Sequence, residues 1–169
     1  MSWKVYIKGF NSFLTLEKSL SPNSIEAYQR DIEKLFQFLE YKKYTLAPKD
    51  IELKHLQEFL KWITELGMTA RSQARVISGI KAFYKYLLLE NVLSTDPTTL
   101  LEAPKLGRKL PDTLTIDDIN LLIDGIDQST PEGVRNKAML ETLYSCGLRV
   151  SELVNLKLSE LFLKEGFIK

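Results

Sequence analysis

The 169-residue sequence has one cysteine, one histidine and no long apolar run. Cys146 alone cannot form an internal disulfide, and His55 alone offers neither a catalytic triad nor a metal cluster; we expect it on a helix, partly exposed. No apolar stretch approaches the roughly 20 residues that a membrane span requires. The first ten residues contain no secretory signal. These absences predict a protein of the reducing cytoplasm with no membrane partner.

What the sequence does contain is enough apolar residues, 44%, to build a core. The net charge of +1 is too small to indicate a partner, but its distribution is informative. Residues 1–103 carry 14 basic and 12 acidic side chains, residues 104–112 carry three and one, and residues 113–169 carry six and nine. The basic excess therefore lies in the first part and in a short stretch that contains two prolines.

Apolar residues recur at helical spacing along most of the chain, which predicts a mainly all-α fold. The four helices expected in the first part cover about 2–19, 22 onward, 53–66 and 70–90. Helices expected in the last part cover about 116–126, 131–147 and 148 onward. The tail, LFLKEGFIK at 161–169, predicts a β-hairpin.

Prolines, a glycine and three positive charges at 104–112 predict an extended basic linker. The predicted domains are therefore an N-terminal helical domain at 1–103, this linker, and a second domain beginning at 113. Because an isolated hairpin needs further strands, we expect residues 113–169 to be the incomplete, helical start of an α+β domain.

The fourth expected helix has a one-sided charge distribution. From Gly67 to Leu89 there is no acidic residue, and four basic residues fall within about 120° of a helical wheel. Small residues lie between these charges, and apolar residues lie on the opposite side. Such a helix fits a DNA major groove and would contact mainly phosphates. The predicted DNA-binding residues of this helix are Arg71, Arg75, Ser78, Lys81 and Lys85. The alternative is an ordinary solvated face.

Two further segments are predicted to contact phosphates. Lys105, Arg108 and Lys109 of the linker would add three positive charges, unless the linker is only a solvated tether. Ser24, in the helix start SPNS at 21–24, can bind a phosphate together with free backbone N–H groups. Simple helix capping is the alternative for Ser24.

Arg149 follows a glycine at the expected start of the last helix, where the helix dipole disfavours a positive charge. Glu152, three residues later, faces the same side. One interpretation is an internal Arg–Glu pair. The other is a phosphate-binding site, because arginine can bind two phosphate oxygens and stabilise charge developing during phosphoryl transfer.

Several motifs along the chain point to one family. RNKAMLETLY at 135–144 followed by CGLRVSEL at 146–153 is similar to the hallmark of the tyrosine recombinases. SPNS at 21–24, with Tyr28 and Arg30-Asp31, resembles that family's N-terminal core-binding domain, and so do the basic fourth helix and PKL at 104–106 with LP at 110–111. The resemblance covers essentially the whole chain and is strongest to the XerC/XerD branch, the chromosome-dimer resolvases. It implies a four-helix SAM-like domain, the linker, and then the catalytic domain. Cys146 stands where many relatives have threonine, and we expect it to be small and buried.

The resemblance also implies a chemistry. A tyrosine attacks the scissile DNA phosphate, forms a 3′-phosphotyrosyl link and frees a 5′-hydroxyl, without a metal or other cofactor. Arg149 matches the family's first catalytic arginine, and Glu152 matches an acidic residue that supports the site. The nucleophilic tyrosine, the lysine hairpin and the His-x-x-Arg motif belong beyond Lys169. The seven tyrosines present match none of these positions, so we expect the 169-residue chain to cleave nothing.

The partners implied by the resemblance are a double-stranded recombination site and, for the full-length protein, a tetramer with itself or a second recombinase. A DNA translocase is a candidate activator, and chromosome partition in the cell cycle is the expected role. Three alternatives remain: a mobile-element integrase, a short DNA-binding protein without catalysis, and a helical protein-interaction module.

Overall fold

A computed structural model of the chain describes residues 3–107 and 112–169. The chain forms two compact units, Met1–Arg108 and Lys109–Lys169, which are described separately below. No helix in the described residues combines the length and apolar content needed to cross a membrane. The domain boundaries expected from the sequence, after residue 103 and before residue 113, stay predictions.

The first unit contains four α-helices. They are α1 (Trp3–Leu16), α2 (Pro22–Tyr41), α3 (Leu53–Glu65) and α4 (Ala70–Leu89). The helix starts follow from local sequence, because the side chains of Ser21 and Thr69 cap α2 and α4 and accept hydrogen bonds from the third amide beyond them. Pro22 occupies the first position of α2, where no backbone donor is needed.

Aromatic side chains dominate the core of this unit. Phe83 of α4 is fully buried, and its ring centroid lies 5.4 Å from Phe10 and 6.1 Å from Trp3, both on α1. Two polar tips are satisfied by backbone: Trp3 Nε1 donates to Leu46 O at 2.8 Å, and the Tyr84 hydroxyl donates to Pro48 O at 3.2 Å. This core fixes which face of α4 remains for solvent.

The second unit contains three helices and a hairpin. They are α5 (Ile116–Asp124), α6 (Pro131–Cys146), α7 (Val150–Asn155), β1 (Leu161–Phe162) and β2 (Phe167–Ile168). Gly147 ends α6 with a left-handed φ of 63°, a conformation that glycine adopts without steric cost. The antiparallel strands pair Phe162 with Phe167, whose rings stack with centroids 4.5 Å apart.

The mainly helical fold and the terminal hairpin confirm the sequence prediction. Two predictions about single residues were wrong. Cys146 is exposed, because little of the second unit is buried: of its described residues, only Gly133 and Leu153 are. His55 is 8% exposed, and its Nδ1 accepts a hydrogen bond from the Glu52 amide at 3.0 Å, a local partner that permits burial of the ring.

Candidate nucleic-acid interface

The five predicted DNA-binding residues of α4 all lie on its exposed side. The opposite side is buried, with Val76, Ile80, Phe83, Tyr84 and Leu87 fully inaccessible. A helix of this length extends about 30 Å. The packing of the core therefore presents Arg71, Arg75, Ser78, Lys81 and Lys85 to solvent as one surface, which we call the basic face. That the basic face binds DNA stays a prediction.

Arg75 differs from the other charges of the basic face, because it has a buried partner. Its Nη1 lies 2.8 Å from Oδ2 of Asp31, a residue of α2 whose side chain is 2% exposed. Burial raises the pKa of the Asp31 carboxyl above its ordinary value, and the positive charge of Arg75 opposes that rise. Burial of a carboxylate is tolerated only where such a partner compensates for lost hydration.

Ser24 lies close to this pair. Ser24, Arg75 and Ser78 line one shallow depression between α2 and α4, together with Ala27, Tyr28 and Asp31. The Ser24 hydroxyl is 3.0 Å from that of Ser21, so helix capping accounts for part of its role. The Ser78 hydroxyl donates to the Ala74 carbonyl at 3.0 Å. Because this bond uses the hydroxyl proton, Ser78 contributes mainly its small size to the surface.

Of the three basic linker residues predicted to contact phosphates, the structure describes Lys105. Lys105 is exposed, as a phosphate contact would require. Arg108 and Lys109 lie outside the described residues.

Lys85 lies beside an apolar groove between α1 and α4, since Phe10, Phe13 and Tyr86 line the same pocket.

Arg149 is the N-cap of α7, one residue before the first helical position. Its backbone N–H donates to Glu152 Oε2 at 2.7 Å, and its Nη1 donates to Oε1 at 2.9 Å. The internal Arg–Glu pair considered for these residues is therefore present. The Arg149 side chain is still 83% exposed, so the guanidinium also remains accessible to a ligand. The structure is compatible with both interpretations.

Glu152 offers a direct test of this local geometry. Its pKa is lowered from 4.5, first by the hydrogen bond from the Arg149 amide and then by the bond from the Arg149 side chain. Because the amide bond is the largest cause and survives the substitution, Arg149→Ala should leave the pKa of Glu152 below its ordinary value. An NMR titration of the Glu152 carboxyl carbon would measure it. A return to the ordinary pKa in this variant would contradict the capping geometry.

The lowered pKa of Glu152 also predicts how the stability of the start of α7 depends on pH. A carboxyl whose pKa is lower in the folded state stabilises that state above its unfolded pKa. That contribution is lost as the pH falls through the folded pKa. The start of α7 should therefore loosen under acid conditions, and the amide of Arg149 should then exchange faster with solvent.

The tyrosines divide between the core and the surface. Tyr84 is buried, and burial raises its pKa far above the ordinary value of 10.0. Tyr144 on α6 is half exposed. In residues 3–107 and 112–169, no three side chains of the usual metal-ligating types come together.

Asp31 was noted only as part of the family motif and was not predicted as a member of this site. Its neighbours Ile32 and Leu35 mark the buried stripe of α2, and a carboxylate beside such a stripe is the available signal. The partner, however, is 44 positions away in sequence. Only the packing of α2 on α4 reveals the pair.

Comparison with known proteins gave two family matches. The family described as phage integrase, N-terminal SAM-like domain, matches residues 7–91, and the phage integrase family matches residues 112–169. The tyrosine recombinase XerD of Listeria monocytogenes serotype 4b (strain F2365) is 39% identical over 163 residues, which cover 96% of this chain and 55% of the relative. XerD of Pseudomonas aeruginosa is 39% identical over 165 residues, with 96% and 54% covered.

The chain thus spans about half the length of the curated relatives it matches. Among solved structures, the crystal structure of a lambda integrase dimer bound to a COC′ core site aligns with a TM-score of 0.70 at 16% identity. The alignment covers 95% of this chain and 43% of that one. At this identity, the similarity concerns the fold alone.

Proposed function

The chain belongs to the phage integrase family of tyrosine recombinases, and from that premise we propose that it binds duplex DNA at a recombination site through the basic face of α4. The observation that carries this proposal is that the core of the first unit turns all four positive charges of α4 to solvent. The lambda integrase with a similar fold was crystallised on a core site, which supports the same class of partner.

In this proposal, residues 1–103 are the core-binding domain and residues 104–112 the basic linker. The second unit, from residue 113, is the start of the catalytic domain. Lys105, with Arg108 and Lys109 of the linker, adds phosphate contacts to those of α4. Ser24 contributes at the edge of the basic face, next to Arg75.

Arg149 is proposed to contact the scissile phosphate. Arginine provides a planar, permanently charged group that matches phosphate oxygens, and it stabilises negative charge that develops in the transition state. Glu152 holds the Arg149 backbone and side chain together through two hydrogen bonds. We propose that Glu152 thereby orients the guanidinium, while its own carboxylate stays directed at Arg149 instead of at DNA.

The relatives named XerD support a role in chromosome dimer resolution, with mobile-element integration as the alternative. The full-length protein would join and exchange strands through a 3′-phosphotyrosyl intermediate, as a tetramer on DNA. A second recombinase and an activating DNA translocase are its proposed partners. The 169-residue chain alone is proposed to bind DNA without cleaving it, because none of its tyrosines matches the nucleophile.

Titration of a fluorescein-labelled duplex with the 169-residue chain tests the proposal. If α4 neutralises about four phosphates, affinity should fall by about a hundredfold between roughly 50 and 200 mM salt. Fluorescence anisotropy at several salt concentrations measures this slope. An absence of binding at low salt would refute the proposed function and favour a helical protein-interaction module.

A further inference from the structure

A buried carboxylate lies directly beneath the basic face. Asp31 projects from α2 toward Gly79 of α4, where an added Cβ would come within 2.7 Å of Asp31 Oδ2. Cβ atoms essentially never approach another heavy atom so closely. Glycine at position 79 therefore leaves the space that the Asp31 side chain occupies, one helical turn from Arg75.

Arg75 supplies the hydrogen bond that compensates for burial of this carboxylate. Oδ2 accepts from Arg75 Nη1 at 2.8 Å, and Lys34 Nζ lies 3.9 Å from Oδ1, beyond hydrogen-bonding distance. Oδ1 has no hydrogen-bond partner within the part of the chain that the structure describes. Rotation of the guanidinium away from Asp31 would leave both oxygens without one, so the Arg75 side chain is constrained to this conformer.

The constrained side chain is still available to a ligand. The Arg75 side chain is 49% exposed, and a guanidinium carries five N–H donors. Within the described residues, Asp31 is its one protein partner in a hydrogen bond or ion pair. Arg75 lines the depression that also contains Ser24 and Ser78. A phosphate over this depression would meet donors already held in place.

We propose that Asp31 is a positioning residue for DNA recognition, which holds the Arg75 guanidinium in one conformer for a backbone phosphate. This inference rests on the proposed function of the basic face. Fixing a flexible side chain before association removes an entropic cost that binding would otherwise carry. Arginine benefits in particular, because its planar group forms directional hydrogen bonds to phosphate.

A countercharge role makes the opposite prediction. If Asp31 only neutralised Arg75, its removal would increase the positive charge of the basic face and tighten DNA binding. If Asp31 positions Arg75, its removal weakens binding even though the face becomes more positive. The sign of the change in affinity therefore distinguishes the two roles.

The test is Asp31→Asn in the 169-residue chain, titrated with a labelled duplex by fluorescence anisotropy. The amide has the same shape and is neutral, so it is less costly to bury. We expect affinity to fall about fivefold, since a neutral acceptor holds the guanidinium less tightly than a carboxylate. Glu26→Gln is the matched control, because it removes an exposed charge of α2 that lies 3.5 Å from Arg30. It should leave affinity unchanged or slightly higher.

An Arg75→Gln background separates positioning from a purely structural role. There, Asp31→Asn should cause no further loss of affinity, because the side chain that it positions is absent. An equal loss in both backgrounds would overturn the proposal, and so would unchanged or tighter binding by Asp31→Asn alone.

Arg75→Lys provides a test that retains the Asp31 carboxylate. Lysine keeps the charge but lacks the planar fork, so affinity should again fall about fivefold. Binding equal to wild type would overturn the inference while leaving the proposed function intact. If the wild-type chain itself fails to bind the duplex at low salt, the proposed function and this inference both fail.

Discussion

Reversing two charges of the basic face should weaken duplex binding by about a hundredfold at low salt. The variant is Arg71→Glu with Lys81→Glu, both exposed on α4. Each substitution removes a phosphate contact and adds a repelling charge. The slope of log affinity against log salt should also become shallower by about 2, because roughly one counterion is released for each phosphate neutralised. Anisotropy titrations at several salt concentrations measure both quantities.

Arg75 is left unchanged in this experiment. A glutamate at position 75 would face the buried Asp31 carboxylate, and two like charges there would destabilise the fold. A loss of binding could then reflect unfolding. Arg71 and Lys81 are exposed on the same face, and in the part of the chain that the structure describes no hydrogen bond or ion pair of the core involves either side chain.

The matched control reverses two lysines of α3. Lys54 and Lys61 are exposed and pair with Glu52 and Glu65 at 2.8 and 4.0 Å. Lys54→Glu with Lys61→Glu changes the net charge by the same amount, from +1 to −3. It should weaken binding far less and leave the salt slope nearly unchanged. Equal effects of the two double variants would indicate that α4 is not the DNA-binding surface.

Removing the Arg149 guanidinium should abolish DNA cleavage while sparing DNA binding. In a full-length form of the protein, Arg149→Ala should slow the formation of covalent protein–DNA adducts by about a thousandfold. The physical reason is the loss of a fixed positive charge where phosphoryl transfer develops negative charge. Suicide substrates that trap the adduct measure the rate, and anisotropy measures the affinity.

Two variants sharpen the interpretation of this result. Arg149→Lys keeps the charge without the planar fork, and we expect partial activity at most. Arg135→Ala removes another exposed arginine of the same unit, whose side-chain hydrogen bonds within the described residues go to Asn136 alone. It should form adducts at nearly the normal rate. If Arg149→Ala also does so, the Arg149–Glu152 pair has only the structural role of capping α7.

Most of the fold could be read from local sequence. The starts of α2, α4, α5 and α6 follow from Ser21, Thr69, Thr115 and Thr130, whose side chains accept a hydrogen bond from an amide of the first turn. Such caps involve residues three apart, so no distant contact is needed to predict them. The end of α1 was less accurate: the expected helix reached 19, whereas α1 ends at Leu16, and Ser19 adopts a left-handed φ of 49°.

The candidate site was predictable only in part. The charges of α4 follow from its periodicity. Local chemistry left two interpretations of Arg149 open, and only the resemblance of CGLRVSEL to the family's motif favoured a phosphate site. The sequence by itself thus determined the helices, the side of α4 that carries charge, and the Arg149–Glu152 pair, because all of these depend on neighbours within one or two turns. The exposure of Cys146 and the burial of His55 depend on how many side chains of each unit pack over them. Local sequence patterns do not determine this packing.

Only the tertiary structure decided that Arg75 has a different environment from Arg71, Lys81 and Lys85. On a helical wheel these four residues are equivalent positive charges. The packing of α2 against α4 places the Asp31 carboxylate, 44 positions earlier, within 2.8 Å of Arg75. Because the Asp31 side chain is 2% exposed, water has little access to the carboxylate and cannot readily take the place of Arg75 as its partner. A long-range contact of this kind arises from the fit of two helices at Gly79, and no local spacing encodes it.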